Sequence, residues 1–511
     1  MFPLQPTAPP AVPDSILAQT ARGAGWTIGW RVVTRFLGLI STLILVRLLI
    51  PGDFGLVALA TGFSQAISQL SALGIEEAVI RERAPTRDTY DTAFTISLIC
   101  GLLSSAIIVA GAWPAALFFR DPRLTSVLMA LAACSLVTSF ENMGTIEFRR
   151  DFAFAQEFKL LLLPRLGAMV MTISVAVLCR SYWALVIGIA TGKILWVGMG
   201  YAMHPHRPRL TLRAWRSLAS FSAWSWAISM VTLVRDRVDS FVIGSVLNLT
   251  QVGIYSVGSE IATIPTYELA APLSRACLPG FAAVLRSGVG AADSYLRIIA
   301  SVTLFMLPAG IGISLVAEPV VLIALGPQWS AATGLVRIMG IASITFVLGT
   351  VTYTMLAAHG LIRATFVFCA VSMLVRLASM ILLVTIFGLT GAAIGWSISI
   401  ITENILYMVV AFRRFDLRAA DMVRQIWRGG LASVAMATVL VITGLGWSHI
   451  TGLERAIWSL ALAVPTGAVT YIFVLVSAWF LCGCPTRTGE SDMLELLRRI
   501  ASQFSAGRES K

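Results

Sequence analysis

The sequence predicts an all-α integral membrane protein with about 14 transmembrane helices. Of the 511 residues, 57% are hydrophobic and only 13% are charged, and the mean hydropathy is +0.83. A soluble domain carries roughly 25% charged residues, so this chain has about half the charge that a water-exposed surface needs. Because lipid offers no hydrogen bonds, every backbone N–H and C=O must be satisfied internally, and long helices achieve this.

Apolar stretches long enough to cross a bilayer recur along the whole chain. A helix needs about 20 residues to span the hydrocarbon core. Turn-forming pairs such as Pro51-Gly52, Asp121-Pro122 and Gly326-Pro327 separate the stretches. The predicted spans are 23–49, 53–79, 90–113, 124–144, 153–179, 182–203, 217–246, 250–277, 293–317, 331–357, 364–387, 389–412, 427–447 and 456–481.

Basic residues are distributed unevenly between the predicted loops. One set of loops, together with both tails, contains 21 of the 38 lysines and arginines, whereas the opposite set contains four. Cytoplasmic loops carry an excess of Lys and Arg. We therefore expect both termini in the cytoplasm and an even number of spans.

Two short stretches suggest an internal repeat. Leu49–Val57 has a counterpart 198 residues later in Leu247–Tyr255, and each stretch joins the first and second spans of a six-span block. Because six is even, the blocks share an orientation, which predicts two parallel repeats with a site between them. The resulting division is a cytoplasmic Pro-rich tail, an N-terminal six-helix bundle, a basic linker, a C-terminal six-helix bundle, two extra helices and a cytoplasmic tail (1–22, 23–203, 204–216, 217–412, 413–482 and 483–511).

The C-terminal tail carries its own helical pattern. Met493, Leu496, Leu497, Ile500 and Phe504 fall on one face of a predicted helix. Such an amphipathic helix either lies on the cytoplasmic membrane surface or packs against the bundle.

Charged side chains inside the predicted spans indicate a candidate binding site. A charge at the bilayer centre costs at least about 2.5–3.5 kcal/mol, so such residues usually face a cavity or a partner. Arginine suits an anionic headgroup because its planar guanidinium holds phosphate oxygens bidentately. The residues predicted to bind such a headgroup in a central, water-filled cavity are Arg31, Arg35, Lys159, Arg165, Arg235, Arg237 and Arg376.

The same charges also have a structural interpretation. Arg235 is four residues from Asp239, the spacing of an ion pair on one helix, and Arg376 could pair with Glu403 from a neighbouring span. Lys159 lies near the inner end of its span and could extend to the interface. The sequence alone leaves both interpretations open.

Motifs for chemistry are missing from the sequence, and we predict no catalytic residue, metal site or cofactor. The stretch Gly188–Lys193 has the wrong glycine spacing for a phosphate-binding loop, and no Ser or Thr follows the lysine. The four histidines are scattered, and the predicted outer loops are too short for a soluble catalytic domain. The net charge of +12 reflects basic cytoplasmic loops and cations in the bundle, not a nucleic-acid partner.

Five short motifs occur in order along the chain, namely Arg47-Leu-Leu-x-Pro-x-Asp-Phe-Gly-Leu56, Phe148-Arg-Arg150, Trp183-Ala-Leu-Val186, Arg235-x-x-x-Asp239-x-x-x-Ile243-Gly244 and Gly253-Ile-Tyr-Ser256. In this order and spacing they resemble the polysaccharide-transporter (Wzx-type) flippases. That family belongs to the superfamily that also contains the MATE exporters and the peptidoglycan-precursor flippases. The resemblance covers about residues 23–412.

The resemblance implies a flippase of the bacterial inner membrane. Such a protein moves polyprenyl-pyrophosphate-linked oligosaccharide repeat units to the periplasmic leaflet by alternating access, for exopolysaccharide or O-antigen synthesis. The candidate ion-coupling residues are Asp236, Asp239 and Glu260. Besides the substrate and membrane lipids, a polysaccharide polymerase and the export machinery are candidate partners.

Two other functions compete with this one. A MATE-like exporter of small cationic molecules would be expected to have a net acidic cavity, whereas the first and fifth predicted spans contribute arginine and lysine. A glycan polymerase or ligase would need a substantial periplasmic loop, and the predicted outer loops are short.

Overall fold

The computed structural model of this chain describes residues 33–71, 75–82, 85–151, 153–215, 223–267, 291–358, 361–450, 452–485 and 488–491. Within these ranges all regular secondary structure is helical. Arg31, the Pro-rich tail and the predicted amphipathic helix at 493–504 lie outside the described residues.

The chain divides into two compact units. The first comprises the described residues of 1–48, 67–114 and 125–221, and the second those of 49–66, 115–124 and 222–511. The second unit therefore includes two short segments that the sequence division assigns to the N-terminal bundle.

The helices are numbered here in chain order. Up to the basic linker, the structure has α1 over 33–48, α2 Pro51–Ser71, α3 Ile75–Arg81, α4 Arg87–Phe118, α5 Arg123–Ser139, α6 Glu147–Arg150, α7 Phe154–Cys179 and α8 Trp183–Met203. After the linker it has α9 Ala223–Val246, α10 over 249–267, α11 Ala291–Leu315, α12 Ala317–Ala324, α13 Ala332–Ala358, α14 Ile362–Phe415, α15 Ala419–Ile442 and α16 Leu453–Leu481.

Many of these helices can cross a membrane. Within the described part of the chain, eight are long and apolar enough, namely α4, α7, α8, α11, α13, α14, α15 and α16. Helix α5 and the short helical stretch Met143–Arg150 form a ninth candidate, a span broken by a 70° bend. The chain is thus a multi-pass membrane protein.

Helix α14 consists of two predicted spans joined at one glycine. Gly388 has φ 58° and ψ −134°, outside the helical region, and a positive φ is readily adopted only by glycine. The two arms (362–387 and 389–415) pack side by side through small polar residues. Ser372 and Ser399 lie 3.1 Å apart through their hydroxyls, and Ser379 donates to the Gly395 carbonyl at 3.2 Å. Small residues of this kind allow membrane helices to approach closely.

The linker after α8 is held by hydrogen bonds to other residues of the first unit. The Asn142 side-chain amide donates to three carbonyls, those of Gly200, His204 and His206, at 3.1–3.2 Å. The Arg209 backbone N–H donates to the Asp91 carboxylate at 3.0 Å. The described part of the linker (204–215) therefore lies along the start of α4.

The last described residues are anchored by a buried ion pair. Arg428 donates from Nε and Nη2 to the two carboxylate oxygens of Glu490 at 2.7 and 3.0 Å, and the two residues are only 5% and 7% exposed. Nearby, the Tyr471 hydroxyl donates to the Leu304 carbonyl at 2.7 Å. The ion pair joins α15 to the segment 488–491, and the Tyr471 hydrogen bond joins α16 to α11.

Candidate functional site

Helices α9, α10, α13 and α14 enclose a cavity of about 620 Å³ in the second unit, which we call the α9–α14 pocket. Pockets for small ligands have volumes of about 300–1,000 Å³. Four carboxylates and two guanidinium groups line it, so its formal charge is negative. These groups are Arg235, Asp236 and Asp239 on α9, Glu260 on α10, and Arg376 and Glu403 on the two arms of α14.

Arg376 and Asp239 form a buried, bidentate ion pair. Arg376 Nε donates to Asp239 Oδ1 at 2.8 Å, and Arg376 Nη2 donates to Oδ2. The Tyr255 hydroxyl donates to the same Oδ2 at 2.6 Å. The side chains of the pair are 7% and 6% exposed. Each charge is thus neutralised where water is scarce, as a buried ion requires.

Arg235 and Glu403 form a second pair across the pocket. Arg235 donates from Nη1 to Glu403 at 2.6 Å and from Nε to Asp236 at 3.1 Å. Glu403 also accepts hydrogen bonds from Ser372 at 3.1 Å and Tyr407 at 3.0 Å. This carboxylate is therefore the centre of a polar network that joins α9 to both arms of α14.

The two arginines of the pocket form ion pairs with different carboxylates from those that the sequence suggested. Arg235 bonds to Glu403 and Arg376 bonds to Asp239, so the suggested pairs Arg235–Asp239 and Arg376–Glu403 are wrong. Side chains on a helix lean toward its N-terminus, which directs Arg235 away from Asp239 one turn later. The helix dipole also favours pairs in which the acid is N-terminal to the base, the reverse of Arg235 and Asp239.

Arg237 is not part of the pocket. Two residues from Arg235, it faces α2, where its Nη2 donates to the Gln65 side chain. Its aliphatic chain packs on Gly62, with Cδ 3.6 Å from the position a β carbon there would occupy. The predicted set of cations is therefore divided between different faces of α9.

The remaining predicted cations lie in the first unit. Nη2 of Arg165 on α7 is 3.9 Å from the position of a β carbon on Gly38, and Arg35 lies three residues before Gly38 on the same side of α1. Lys159 is exposed on α7. Its neighbour Glu157 is bonded to Arg149 at 2.6 Å. The structure thus places the Arg165 guanidinium beside Gly38, about one helical turn from Arg35 on α1.

The sequence interpretation missed the aromatic lining of the α9–α14 pocket. The rings of Tyr267 and Phe346 are stacked, with centroids 3.9 Å apart and planes 4° apart. Tyr353, Trp396 and Tyr407 also line the cavity. Tyrosines within apolar spans were the available signal, since a Tyr hydroxyl in lipid needs a polar partner.

Comparison with known proteins places this chain among proteins of polysaccharide synthesis. A family model described as "Polysaccharide biosynthesis protein" matches residues 44–334. The chain is 23% identical over 319 residues to the succinoglycan biosynthesis transport protein ExoT of Rhizobium meliloti (strain 1021), covering 61% of this chain and 63% of that relative. It thus spans slightly less than two thirds of the length of ExoT.

A second relative is matched over more of its length. The chain is 19% identical over 411 residues to the lipopolysaccharide biosynthesis protein WzxC of Escherichia coli (strain K12), covering 78% of this chain and 82% of the relative.

Two solved transporter structures share the fold. The lipid II flippase MurJ, in an inward closed conformation, superimposes with a TM-score of 0.71 at 12% identity, covering 89% of this chain and 98% of that chain. An inward-facing MATE multidrug resistance transporter gives 0.54 at 16% identity, covering 75% and 94%. At these identities the likeness concerns the fold alone.

Proposed function

Because this chain belongs to the polysaccharide biosynthesis protein family, whose model matches more than half of it, we propose that it is a flippase for lipid-linked oligosaccharides. It translocates polyprenyl-pyrophosphate-linked repeat units across the bacterial inner membrane by alternating access, for exopolysaccharide or O-antigen synthesis. The family match is the observation that carries this proposal. The names of two relatives, a succinoglycan transport protein and a lipopolysaccharide biosynthesis protein, agree with it.

The pyrophosphate is bound by cations of the first unit. Arg165 on α7 lies beside Gly38, about one turn from Arg35 on α1, and two guanidinium groups can share the charge of a pyrophosphate. Arg31 and Lys159 extend this cationic set in our proposal. In the second unit Arg235 and Arg376 are neutralised by carboxylates, so they position helices, and Arg237 holds α2.

Ion coupling is assigned to carboxylates of the second unit. Of the three candidates, Asp239 is bonded to Arg376 and Asp236 to Arg235. An arginine thus already compensates the charge of each of these two carboxylates. Glu260 lines the same pocket, and our proposal keeps all three carboxylates as groups that bind and release the coupling cation.

The topology proposed for this cycle has 14 spans, formed by two parallel six-helix repeats and two extra C-terminal helices. Both termini lie in the cytoplasm, and rocking of the two repeats exposes the substrate site to each side in turn. A polysaccharide polymerase and the export machinery act on the product at the periplasmic face.

A small-cation exporter is the second candidate, and the charge of the α9–α14 pocket favours it. Four carboxylates against two arginines would attract an organic cation.

The function is tested by the sidedness of the glycan lipid in a strain that lacks the gene. Spheroplasts are probed with a membrane-impermeant lectin or glycosidase, with and without the gene restored. We expect repeat units trapped on the cytoplasmic face and released to the periplasmic face by complementation. Normal periplasmic exposure with unpolymerised units would instead indicate a polymerase or ligase, and no change in any glycan lipid would favour the exporter.

A further inference from the structure

The α9–α14 pocket presents aromatic surface that its ion pairs do not use. Tyr353 on α13 is 39% exposed, and its ring meets Tyr407 edge-on at a centroid distance of 6.1 Å. The stacked pair of Tyr267 and Phe346 forms a second apolar surface of the same cavity. Trp396 completes the aromatic lining.

Polar groups beside these rings keep hydrogen-bonding capacity. Asp236 accepts one hydrogen bond, from Arg235 Nε to Oδ1, and its side chain is 53% exposed. Its second carboxylate oxygen bonds to none of the residues that the structure describes, and neither do the Tyr267 and Tyr353 hydroxyls. A carboxylate accepts strongly, and a phenol both donates and accepts.

This combination matches the surface of a sugar ring. A pyranose has hydroxyl groups on its rim, which donate and accept hydrogen bonds, and a face of C–H groups that carries partial positive charge. The negative face of an aromatic ring attracts such C–H groups. Arranged around one cavity, rings and hydrogen-bond acceptors can recognise both features of the sugar at once.

The same pocket is poorly suited to the pyrophosphate. Its carboxylates outnumber its arginines, and each arginine is already bonded to a carboxylate. A pyrophosphate placed there would meet a net negative field, and nearby like charges repel. The charge of the pocket therefore argues against the pyrophosphate as its ligand, and the rings and hydrogen-bond acceptors favour a hydroxyl-rich group.

We propose that the α9–α14 pocket binds a sugar residue of the translocated oligosaccharide. Tyr353 is the stacking surface, and Asp236 accepts hydrogen bonds from the sugar hydroxyls. This assignment rests on the proposed flippase function. It adds a glycan subsite with net negative charge, distinct from the cationic residues that bind the pyrophosphate.

The test is a binding measurement on the purified full-length protein in lipid nanodiscs. The first probe is the repeat-unit oligosaccharide cut from the polysaccharide of the source bacterium, free of lipid and pyrophosphate. Wild type is compared with Tyr353→Ala, Tyr353→Phe and Asp236→Asn. The matched control is Phe473→Ala, an aromatic residue on α16 that is 70% exposed and lies outside the pocket. A monodisperse elution profile shows that each variant is folded.

We expect Tyr353→Ala and Asp236→Asn each to weaken oligosaccharide binding about tenfold, the effect of losing one good contact. Tyr353→Phe keeps the ring and should bind almost as wild type does, and Phe473→Ala should be unchanged. Polyprenyl pyrophosphate without sugar, the second probe, should bind wild type and Tyr353→Ala equally.

Two results would overturn the glycan subsite. One is oligosaccharide binding that is absent in wild type or equal in wild type, Tyr353→Ala and Asp236→Asn. The other is that the wild-type protein binds tetraphenylphosphonium and not the oligosaccharide, and that Asp236→Asn loses this binding. The pocket would then be a site for organic cations. The sidedness assay separates the two proposals. If the wild-type protein flips the glycan lipid but Tyr353→Ala and Asp236→Asn bind the oligosaccharide as wild type does, only the glycan subsite is refuted. If oligosaccharide binding depends on Tyr353 but the protein flips no glycan lipid, only the flippase function is refuted.

Discussion

Gly55 and Gly253 lie in backbone contact where α2 crosses α10. A β carbon on Gly55 would be 1.7 Å from the Leu249 carbonyl oxygen, and one on Gly253 would be 1.9 Å from the Pro51 carbonyl oxygen. The two glycines are also the positions that the 198-residue offset of the sequence repeat aligns. The stretches matched by sequence therefore pack directly on each other, and neither tolerates a side chain at its contact point.

Gly253→Ala is expected to destabilise the protein strongly. The obstacle is a backbone carbonyl, which cannot rotate away, and overpacking of this kind costs about 1–3 kcal/mol or more. The measurement is the melting temperature in detergent, followed by fluorescence-detected size exclusion. Gly334→Ala on α13 is the matched control, because nothing lies within 4 Å of its β-carbon position. Equal melting temperatures for the two variants would contradict the close crossing.

Arg376→Ala should be more harmful than the double variant Arg376→Ala/Asp239→Ala. Removing one partner of a buried pair leaves an uncompensated charge, which costs about 3–5 kcal/mol, whereas removing both leaves none. The level of folded protein in the membrane and its melting temperature report this difference. Arg376→Ala/Glu403→Ala, which removes the partner suggested by sequence, serves as the control and should recover nothing. Recovery by that combination would refute the pairing seen here.

Arg35→Ala and Arg165→Ala should each reduce glycan export while the protein still inserts. Each removes one cation from the proposed pyrophosphate site, and a lost charge-assisted hydrogen bond costs about 1.5–3 kcal/mol, or roughly ten- to a hundredfold in binding. Complementation of the deletion strain at matched protein levels is the readout. Arg213→Ala, an exposed cation of the linker, should export normally. Normal export by both Arg35→Ala and Arg165→Ala would show that these cations do not bind the substrate.

Glu260→Gln should uncouple transport from the ion gradient. The amide has nearly the same shape but carries no negative charge to hold a coupling cation, so export should fall and its remainder should not respond to an uncoupler. The appearance of glycan lipid at the periplasmic face, with and without uncoupler, measures this. Glu454→Gln at the exposed start of α16 is the control. Wild-type sensitivity to the uncoupler in Glu260→Gln would exclude Glu260 as the coupling group.

The anchor of the C-terminal tail should depend on pH. Burial raises the pKa of Glu490, but the hydrogen bonds from Arg428 outweigh it and hold the pKa below its usual 4.5. A depressed pKa contributes stability that is present above the unfolded value and is lost as the pH falls through the folded value. The segment 488–491 should therefore stay docked from neutral pH to about pH 5 and loosen below pH 4.5.

Limited proteolysis of the C-terminal tail measures this anchoring. Glu490→Gln should make the tail sensitive to protease at pH 7. The wild-type tail should become equally sensitive at low pH, measured with a protease that is active in acid. Glu454→Gln, which leaves the tail unchanged, should remain resistant. Equal cleavage of wild type and Glu490→Gln at pH 7 would argue against the anchor.

Among the described residues, the eight helices that are long and apolar enough to cross a membrane lie where the sequence predicted spans. The boundary predicted between 387 and 389 falls on Gly388, where the helical conformation breaks, because a glycine inside a long apolar stretch is a local signal. The charged positions inside the bundle were likewise visible, since any charge in an apolar stretch stands out. Glu403 was recognised only as a partner, although it is the centre of the pocket network.

The pairing of those charges and the aromatic pocket could not be inferred in the same way. Arg376 and Asp239 are 137 residues apart, and no spacing rule relates them. Arg235 and Arg237 are two residues apart yet face different helices, and the side on which each helix packs is set by its neighbours.

The sequence by itself determined that the chain crosses the membrane many times, and which family it resembles, because hydropathy, loop charge and short motifs are local properties. Only the tertiary structure decided which cations are neutralised and which rings share a cavity. Those features depend on distances between helices far apart in the chain, and in lipid these distances are set by side-chain packing and hydrogen bonds between helices.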